Sequence, residues 1–222
     1  MGTSLFPLPK RVVAPGAVHV PGWLDLERQR ELVEACRTWA RGPVPMRSAA
    51  LPSGHRMSVR TVCLGWHWYP YAYSRTADDV DGARVAPFPS WLGELGRAAL
   101  ADAWEQDATD YRPDAALINF YDERARMGMH QDRDERAREP VVSLSIGDTC
   151  TFRFGNPDSR ARPHTDVELE SGDLFVFGGP SRLAHHGVPA VRPGTADPAC
   201  GLASGRINIT LRVTGLESGE RT

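Results

Sequence analysis

His130-Gln-Asp132 sets an imidazole and a carboxylate two residues apart, and on a strand that spacing points both side chains the same way. Two such groups can take adjacent positions on one metal ion. A third ligand is offered downstream by His185-His186-Gly187, and spacing leaves open which of the two histidines it is. Two histidines and one carboxylate make the facial triad of non-haem iron(II) oxygenases, which keeps positions open for a cosubstrate and O2. A zinc hydrolase also uses such a set.

A second cluster separates these chemistries. Arg206-Ile-Asn-Ile-Thr-Leu-Arg-Val213 alternates with period two, with Ile207, Ile209, Leu211 and Val213 on one face and Arg206, Asn208, Thr210 and Arg212 on the other. Taken alone, the pattern most often means a strand with a solvated polar face. If the polar face instead lines a barrel, two buried guanidiniums need an anion, and a dicarboxylate fits. Leu117-Ile-Asn-Phe-Tyr121 repeats the device, putting Asn119 and Tyr121 on one face as neutral partners for a carboxylate. Zinc hydrolysis does not require that pocket.

The elements that must position these groups are legible in part. Strands are predicted at Gly16 to Val20, Ala115 to Tyr121, Val141 to Ile146, Thr151 to Phe154, Asp166 to Leu169, Leu174 to Phe177 and Arg206 to Val213. Turn signals such as Glu170-Ser-Gly-Asp173 separate them, as in a β-sandwich or barrel. A helix is predicted after the cap Asp25, with Leu32, Val33, Cys36 and Trp39 on one face, and a second from the cap Ser90 through Trp104. Both would brace a sheet. Residues 41 to 90 are aromatic and weakly periodic, a folded loop cluster or a recognition surface.

At 222 residues, with 41% hydrophobic and 24% charged residues, the chain suits one globular domain. Its net charge of -2 removes a global positive field as a means of coating duplex nucleic acid, so any such contact is local. Of its 26 basic residues only Lys10 is lysine, a bias that carries no function by itself. Four dispersed cysteines, Cys36, Cys63, Cys150 and Cys200, read as free thiols in a reducing compartment. With no membrane-length apolar run and no leader pattern, a cytoplasmic protein is expected.

The blocks Leu117-Ile-Asn-Phe-Tyr121, His130-Gln-Asp-Arg-Asp134, Pro140-Val-Val-Ser-Leu-Ser145, Phe154-Gly155, Ser171-Gly-Asp173, Gly178-Gly-Pro-Ser-Arg-Leu183, His186-Gly187 and Arg206-Ile-Asn-Ile-Thr-Leu-Arg212 together resemble the AlkB family. The likeness covers at least residues 115 to 213 and extends to Met57-Ser58, Leu64-Gly-Trp66 and Tyr71-Ala-Tyr-Ser74, which are similar to that family's nucleotide-recognition lid. The stretch Cys63 to Tyr73 is shorter than in the best-known bacterial form, with Trp68 and Pro70 inside it.

The resemblance implies a mixed α/β (α+β) fold: a double-stranded β-helix (jelly-roll) core at about 115–215, braced by N-terminal helices, with a lid within about 1–110. It implies Fe(II) on His130, Asp132 and His186, with O2 and the cosubstrate 2-oxoglutarate. The cosubstrate is expected on Asn119, Tyr121, Arg206, Asn208 and Arg212, with Arg212 as the fork for the distal carboxylate. It further implies a target base stacked between Trp66 and His130, with Asp134 at the base edge and Met57 and Tyr71 in the lid. The expected activity is oxidative dealkylation of 1-methyladenine and 3-methylcytosine in DNA, with RNA as a further substrate, releasing formaldehyde, succinate and CO2. The expected partner is single-stranded or base-flipped alkylated nucleic acid, with no membrane, met by a monomer. The alternatives are a related dioxygenase acting on protein, lipid or a small molecule, and a jelly-roll binding module without turnover. The latter is expected to lack a ligand or an arginine, and here all are present.

Overall fold

The computed structural model describes residues 9–51 and 53–217. Within them the chain order is β1 (Arg11–Ala14), β2 (Ala17–Val20), α1 (Leu26–Trp39), β3 (Arg60–Leu64), β4 (His67–Tyr69), β5 (Ala72–Ser74) and α2 (Ser90–Trp104). There follow β6 (Ala115–Tyr121), β7 (Met127–His130), β8 (Val141–Gly147), β9 (Cys150–Phe154), β10 (Thr165–Leu169), β11 (Leu174–Phe177), β12 (His186–Val191) and β13 (Arg206–Arg212). A seven-stranded sheet runs β1-β2-β11-β8-β13-β6-β3, a four-stranded sheet runs β10-β9-β12-β7, and β4 and β5 form a separate hairpin.

Alternation explains how these strands build two cores. In β11, Leu174 and Val176 enter a cluster with Leu32, Val33, Leu92 and Leu100 of the two helices. Phe175 and Phe177 point the other way, to Phe152 and Phe154 of β9 and Val188 of β12. Both faces of β11 are buried, so it reads as a continuous apolar run. Each such side chain stabilises the fold by roughly 1.5–3 kcal/mol. The outcome is the expected jelly roll: two facing sheets, the larger backed by two helices.

α1 starts where predicted, because Asp25 Oδ1 accepts from the Arg28 amide at 2.8 Å. α2 differs slightly: Pro89 occupies the cap position without a side-chain bond, and Ser90 is the first helical residue. Close docking of α2 depends on Gly96, where a Cβ would lie 2.9 Å from Leu211 Cδ1 of β13.

The predicted strands are present with ends shifted by a residue or so, and β1, β3, β4, β5, β7 and β12 join them. The N-terminal part therefore supplies more than helices, since β1, β2 and β3 extend the larger sheet. β3 escaped a periodicity reading because Thr61, Val62, Cys63 and Leu64 are all buried, which erases alternation.

Candidate active site

β13 pairs with β6 so that Arg206 faces Tyr121 and Asn208 faces Asn119. Its apolar face, Ile207, Ile209 and Leu211, packs toward the helices. Its polar face, Arg206, Asn208, Thr210 and Arg212, lines a cavity between the sheets. The face is thus interior rather than solvated.

The opposite wall of the cavity comes from the smaller sheet, where β12 pairs with β7 in a register that sets His186 beside His130. Their ring centroids are 4.4 Å apart. Gly187 permits this approach, because a Cβ there would lie 2.7 Å from the Met127 carbonyl oxygen and 2.9 Å from that of Gly128. His130 Nδ1 is bonded to the Gly128 carbonyl and His186 Nδ1 to the Ala184 carbonyl, each at 2.9 Å. Backbone acceptors at Nδ1 fix the tautomer and leave each Nε2 as the donor atom for a metal.

Asp132 completes the set. Its Oδ1 is 3.6 Å from His130 Nε2, and its Oδ2 is 3.7 Å from His186 Nε2. One ligand atom from each residue lies within 4.8 Å of the others. Asp132 was expected on a strand with His130, yet β7 ends at His130 and Asp132 lies in the loop beyond it. The choice between adjacent histidines also resolves: His185 is bonded through Nδ1 to the Asn156 carbonyl at 3.0 Å, and His186 joins the triad.

The protonation states suit metal binding. Burial, then the neighbouring His130, pushes His186 down to about 4, so its ring is neutral near pH 7. Burial would raise the Asp132 carboxyl, but Arg212, followed by His186 and His130, holds it well below the usual carboxylate range. Burial raises Tyr121 far above an ordinary phenol, which keeps its hydroxyl protonated as a donor.

At the other end of β13, Arg206 is 1% exposed. Its Nη2 donates to Ser145 Oγ at 2.8 Å, while Nε and Nη1 are buried without a protein partner. Unpaired guanidinium donors in a cavity that also holds Tyr121 and Asn119 fit a carboxylate of 2-oxoglutarate. Asn119 accepts from Thr61 Oγ1 at 2.8 Å, and Asn208 donates to Ser143 Oγ at 2.7 Å, so both amides are held in orientation.

Arg212, expected as the fork for the distal carboxylate, makes contacts within the protein. Its Nη2 is 2.8 Å from Asp132 Oδ1 and its Nη1 is 2.8 Å from Glu135 Oε1, so both terminal nitrogens are engaged beside the triad. Arg212 retains one buried unpartnered donor, Nε, whereas Arg206 retains two, Nε and the terminal Nη1.

Trp66, expected as the base platform, is placed in the core. Trp66 is fully buried, donates to Asp114 Oδ2 at 2.8 Å, and carries the Arg75 guanidinium 3.7 Å over its ring. It packs with Cys63, Tyr73 and Leu117 and is not among the cavity's lining residues. Two residues on, half-buried Trp68 donates from Nε1 to Asp134 Oδ2 at 2.9 Å, and this pair too lies outside the cavity's lining residues. Met57 is half-buried, its amide bonded to the Ala49 carbonyl, and is likewise absent from the cavity wall. Tyr71 is 65% exposed at the β4–β5 turn with a φ of 72°.

Glu135, Arg182 and Tyr73 went unnoticed as site residues. Glu135 directly follows the quoted His130–Asp134 block and Arg182 lies within another, so the signal was proximity to a motif.

The 2OG-Fe(II) oxygenase superfamily model matches residues 16–212. The AlkB homolog of Caulobacter vibrioides, an alpha-ketoglutarate-dependent dioxygenase, is 39% identical over 203 residues, 90% of this chain and 88% of that protein. The chain belongs to the AlkB family. Arabidopsis thaliana ALKBH1D, a DNA N(6)-methyladenine demethylase, is 31% identical over 91% of this chain, which spans 50% of that protein's length. The solved structure of OsALKBH1 superposes with a TM-score of 0.81 at 31% identity, covering 92% of this chain and 99% of that one. This AlkB-family chain is accordingly an Fe(II)- and 2-oxoglutarate-dependent dioxygenase, and its His130, Asp132 and His186 fit the iron.

Proposed function

We propose that the chain dealkylates N-alkylated nucleobases, 1-methyladenine and 3-methylcytosine among them, in DNA, with RNA as a further substrate. The observation that carries this reading is the pairing of half-buried Trp68 with Asp134, two residues beyond the ligand Asp132. An aromatic face beside a carboxylate suits a flat, cationic base, through stacking on one and charge on the other. Those two lesions are cationic and cannot pair normally, which lowers the cost of extruding the base into the cavity.

Bound on His130, Asp132 and His186, iron(II) with 2-oxoglutarate and O2 supplies the oxidation of an N-methyl group, with succinate, CO2 and formaldehyde as products. The chain supplies position. Arg206 holds the distal carboxylate, with Tyr121 and Asn119 donating alongside. Arg212 orients Asp132. Phe152 and Phe177 wall the triad on the apolar side, against the His186 ring. We read the protein as a single-domain monomer acting on single-stranded or base-flipped nucleic acid, with β4–β5 as part of the recognition lid. Four buried free cysteines support a cytoplasmic setting.

Incubation with oligonucleotides bearing 1-methyladenine, 3-methylcytosine or neutral N6-methyladenine tests the reading, with formaldehyde measured against succinate. Equal amounts of the two products are expected with the cationic lesions. Succinate without formaldehyde for every oligonucleotide would transfer the enzyme to a protein, lipid or small-molecule substrate.

A further inference from the structure

Asp132 lies past the end of β7, so no strand ladder fixes its carboxylate. Two arginines do that instead. Arg212 Nη2 meets Oδ1 of its side chain at 2.8 Å, and Arg182 Nη1 donates to its backbone carbonyl at 2.5 Å. Both arginines also reach the carboxylate of Glu135, Arg212 Nη1 at Oε1 at 2.8 Å and Arg182 Nη2 at Oε2 at 3.0 Å. A third donor, the Tyr73 hydroxyl, comes to Glu135 Oε1 at 2.7 Å. The Glu135 side chain is wholly buried.

A buried charge cluster of this kind contributes little net stability compared with apolar packing, because each ion is removed from water. What it provides is geometry, since every member is held by at least two others. Tyr73 belongs to β5, and its partner across the hairpin is Trp68. That one rung therefore makes two bonds to consecutive residues: Trp68 to Asp134 and Tyr73 to Glu135.

We infer that Glu135 is a positioning residue that links the β4–β5 hairpin to the Asp132 carboxylate through Arg212, so that the occupant of the Trp68–Tyr73 rung adjusts the metal ligand. The carboxylate of Asp132 is set by Glu135 whether or not a substrate is present. The second half, in which a base stacked on Trp68 shifts the rung and with it Arg212, rests on the nucleobase reading above. It makes substrate arrival and ligand orientation one event, which restrains cosubstrate turnover when no base is bound.

The test uses the full chain loaded with Mn(II) and 2-oxoglutarate, read by electron paramagnetic resonance. Without nucleic acid, Glu135→Gln is expected to weaken Mn(II) about 10- to 100-fold, the usual effect of losing a partner that orients a ligand. Glu123→Gln removes the same charge from an exposed site and is expected to stay within about twofold of wild type, which separates orientation from a general field. Tyr73→Phe keeps every charge and tests the hairpin half: a 1-methyladenine oligonucleotide is expected to alter the wild-type spectrum and leave that of Tyr73→Phe unaltered, although anisotropy shows it bound to both. Mn(II) affinity in Glu135→Gln equal to that in Glu123→Gln overturns the positioning role. A Tyr73→Phe spectrum that responds like wild type overturns the hairpin link. If Glu135→Gln does not fold, Glu135→Asp replaces it, because the shorter side chain keeps the charge but does not span Arg212 and Arg182, and the same Mn(II) comparison with Glu123→Gln decides the positioning role. A wild-type spectrum unchanged by an oligonucleotide that anisotropy shows bound overturns the hairpin link, whereas an oligonucleotide that does not bind the wild type, with Glu135→Gln still losing Mn(II), removes the nucleobase reading and supports the positioning role.

Discussion

The indole Nε1 of Trp68 donates to Asp134 Oδ2 across 2.9 Å, joining the β4–β5 hairpin to the loop that follows the metal ligand Asp132. Trp68→Ala is therefore expected to weaken a methylated oligonucleotide by roughly 1–3 kcal/mol, the contribution of an aromatic platform to one base. Its thermal melting is expected to change little. Trp66→Ala is expected to behave differently, losing about 3–5 kcal/mol of stability as a core tryptophan does, with cosubstrate turnover and base repair falling together. Calorimetry alongside oligonucleotide binding separates the two, and a stable Trp66→Ala protein with lost base binding would restore Trp66 as the platform.

Asp134→Ala gives a second axis on the same surface. A carboxylate facing a cationic base is expected to matter at least about tenfold more for 1-methyladenine than for neutral N6-methyladenine, as one charge-assisted contact is worth roughly 1.5–3 kcal/mol. The ratio of kcat/KM values for the two oligonucleotides reads this directly. Equal losses would leave the metal site standing without its lesion preference.

Replacement of His130, Asp132 or His186 by Ala is expected to abolish both metal binding and 2-oxoglutarate turnover, because a facial site lacking one ligand does not hold metal and chelate together. His185→Ala is expected to retain metal, since its side chain is turned to Asn156. Titration calorimetry with Mn(II) on the four variants gives the comparison.

Arg206→Lys is expected to raise the KM for 2-oxoglutarate by at least about tenfold, because lysine cannot present two donors from a fixed plane. Base affinity is expected to change little. Arg212→Lys is the companion variant. From its contact with Asp132 it is expected to act first on metal affinity, and a larger cosubstrate effect than in Arg206→Lys would reverse the assignment of the two arginines.

The cysteines check the fold itself. Burial pushes Cys36 up to about 12 and Cys63 up to about 11, and Cys150 and Cys200 are also buried. No labelling by iodoacetamide at pH 8 is expected in the native protein, and all four thiols are expected to react after unfolding, because the thiolate is the reactive form. Mass spectrometry counts the adducts.

The β13 segment shows how much a sequence can carry. Its strict alternation assigned Ile207, Ile209 and Leu211 to one face and Arg206, Asn208, Thr210 and Arg212 to the other, and β6 repeated the division with Asn119 and Tyr121. Period-two geometry is local, so these faces, the start of α1 at Asp25 and the His-x-Asp pair were all readable from neighbours in the chain. The motif order around them pointed to the family.

Which face of β13 was interior depended on the smaller sheet lying opposite, a contact made by residues far away in sequence. The choice of His186 over His185 came from the pairing of β12 with β7. The different settings of Arg206 and Arg212 came from Asp132 and from Glu135, the latter 77 residues before Arg212. Trp66 and Trp68 are similar aromatics two positions apart, and the burial of one and the placement of the other beside Asp134 were set by packing against Arg75, Asp114 and Leu117. Local spacing determines which side chains share a face, whereas charge pairing and burial are long-range. The sequence by itself therefore named the chemistry, and the tertiary structure decided where each of two similar residues is placed.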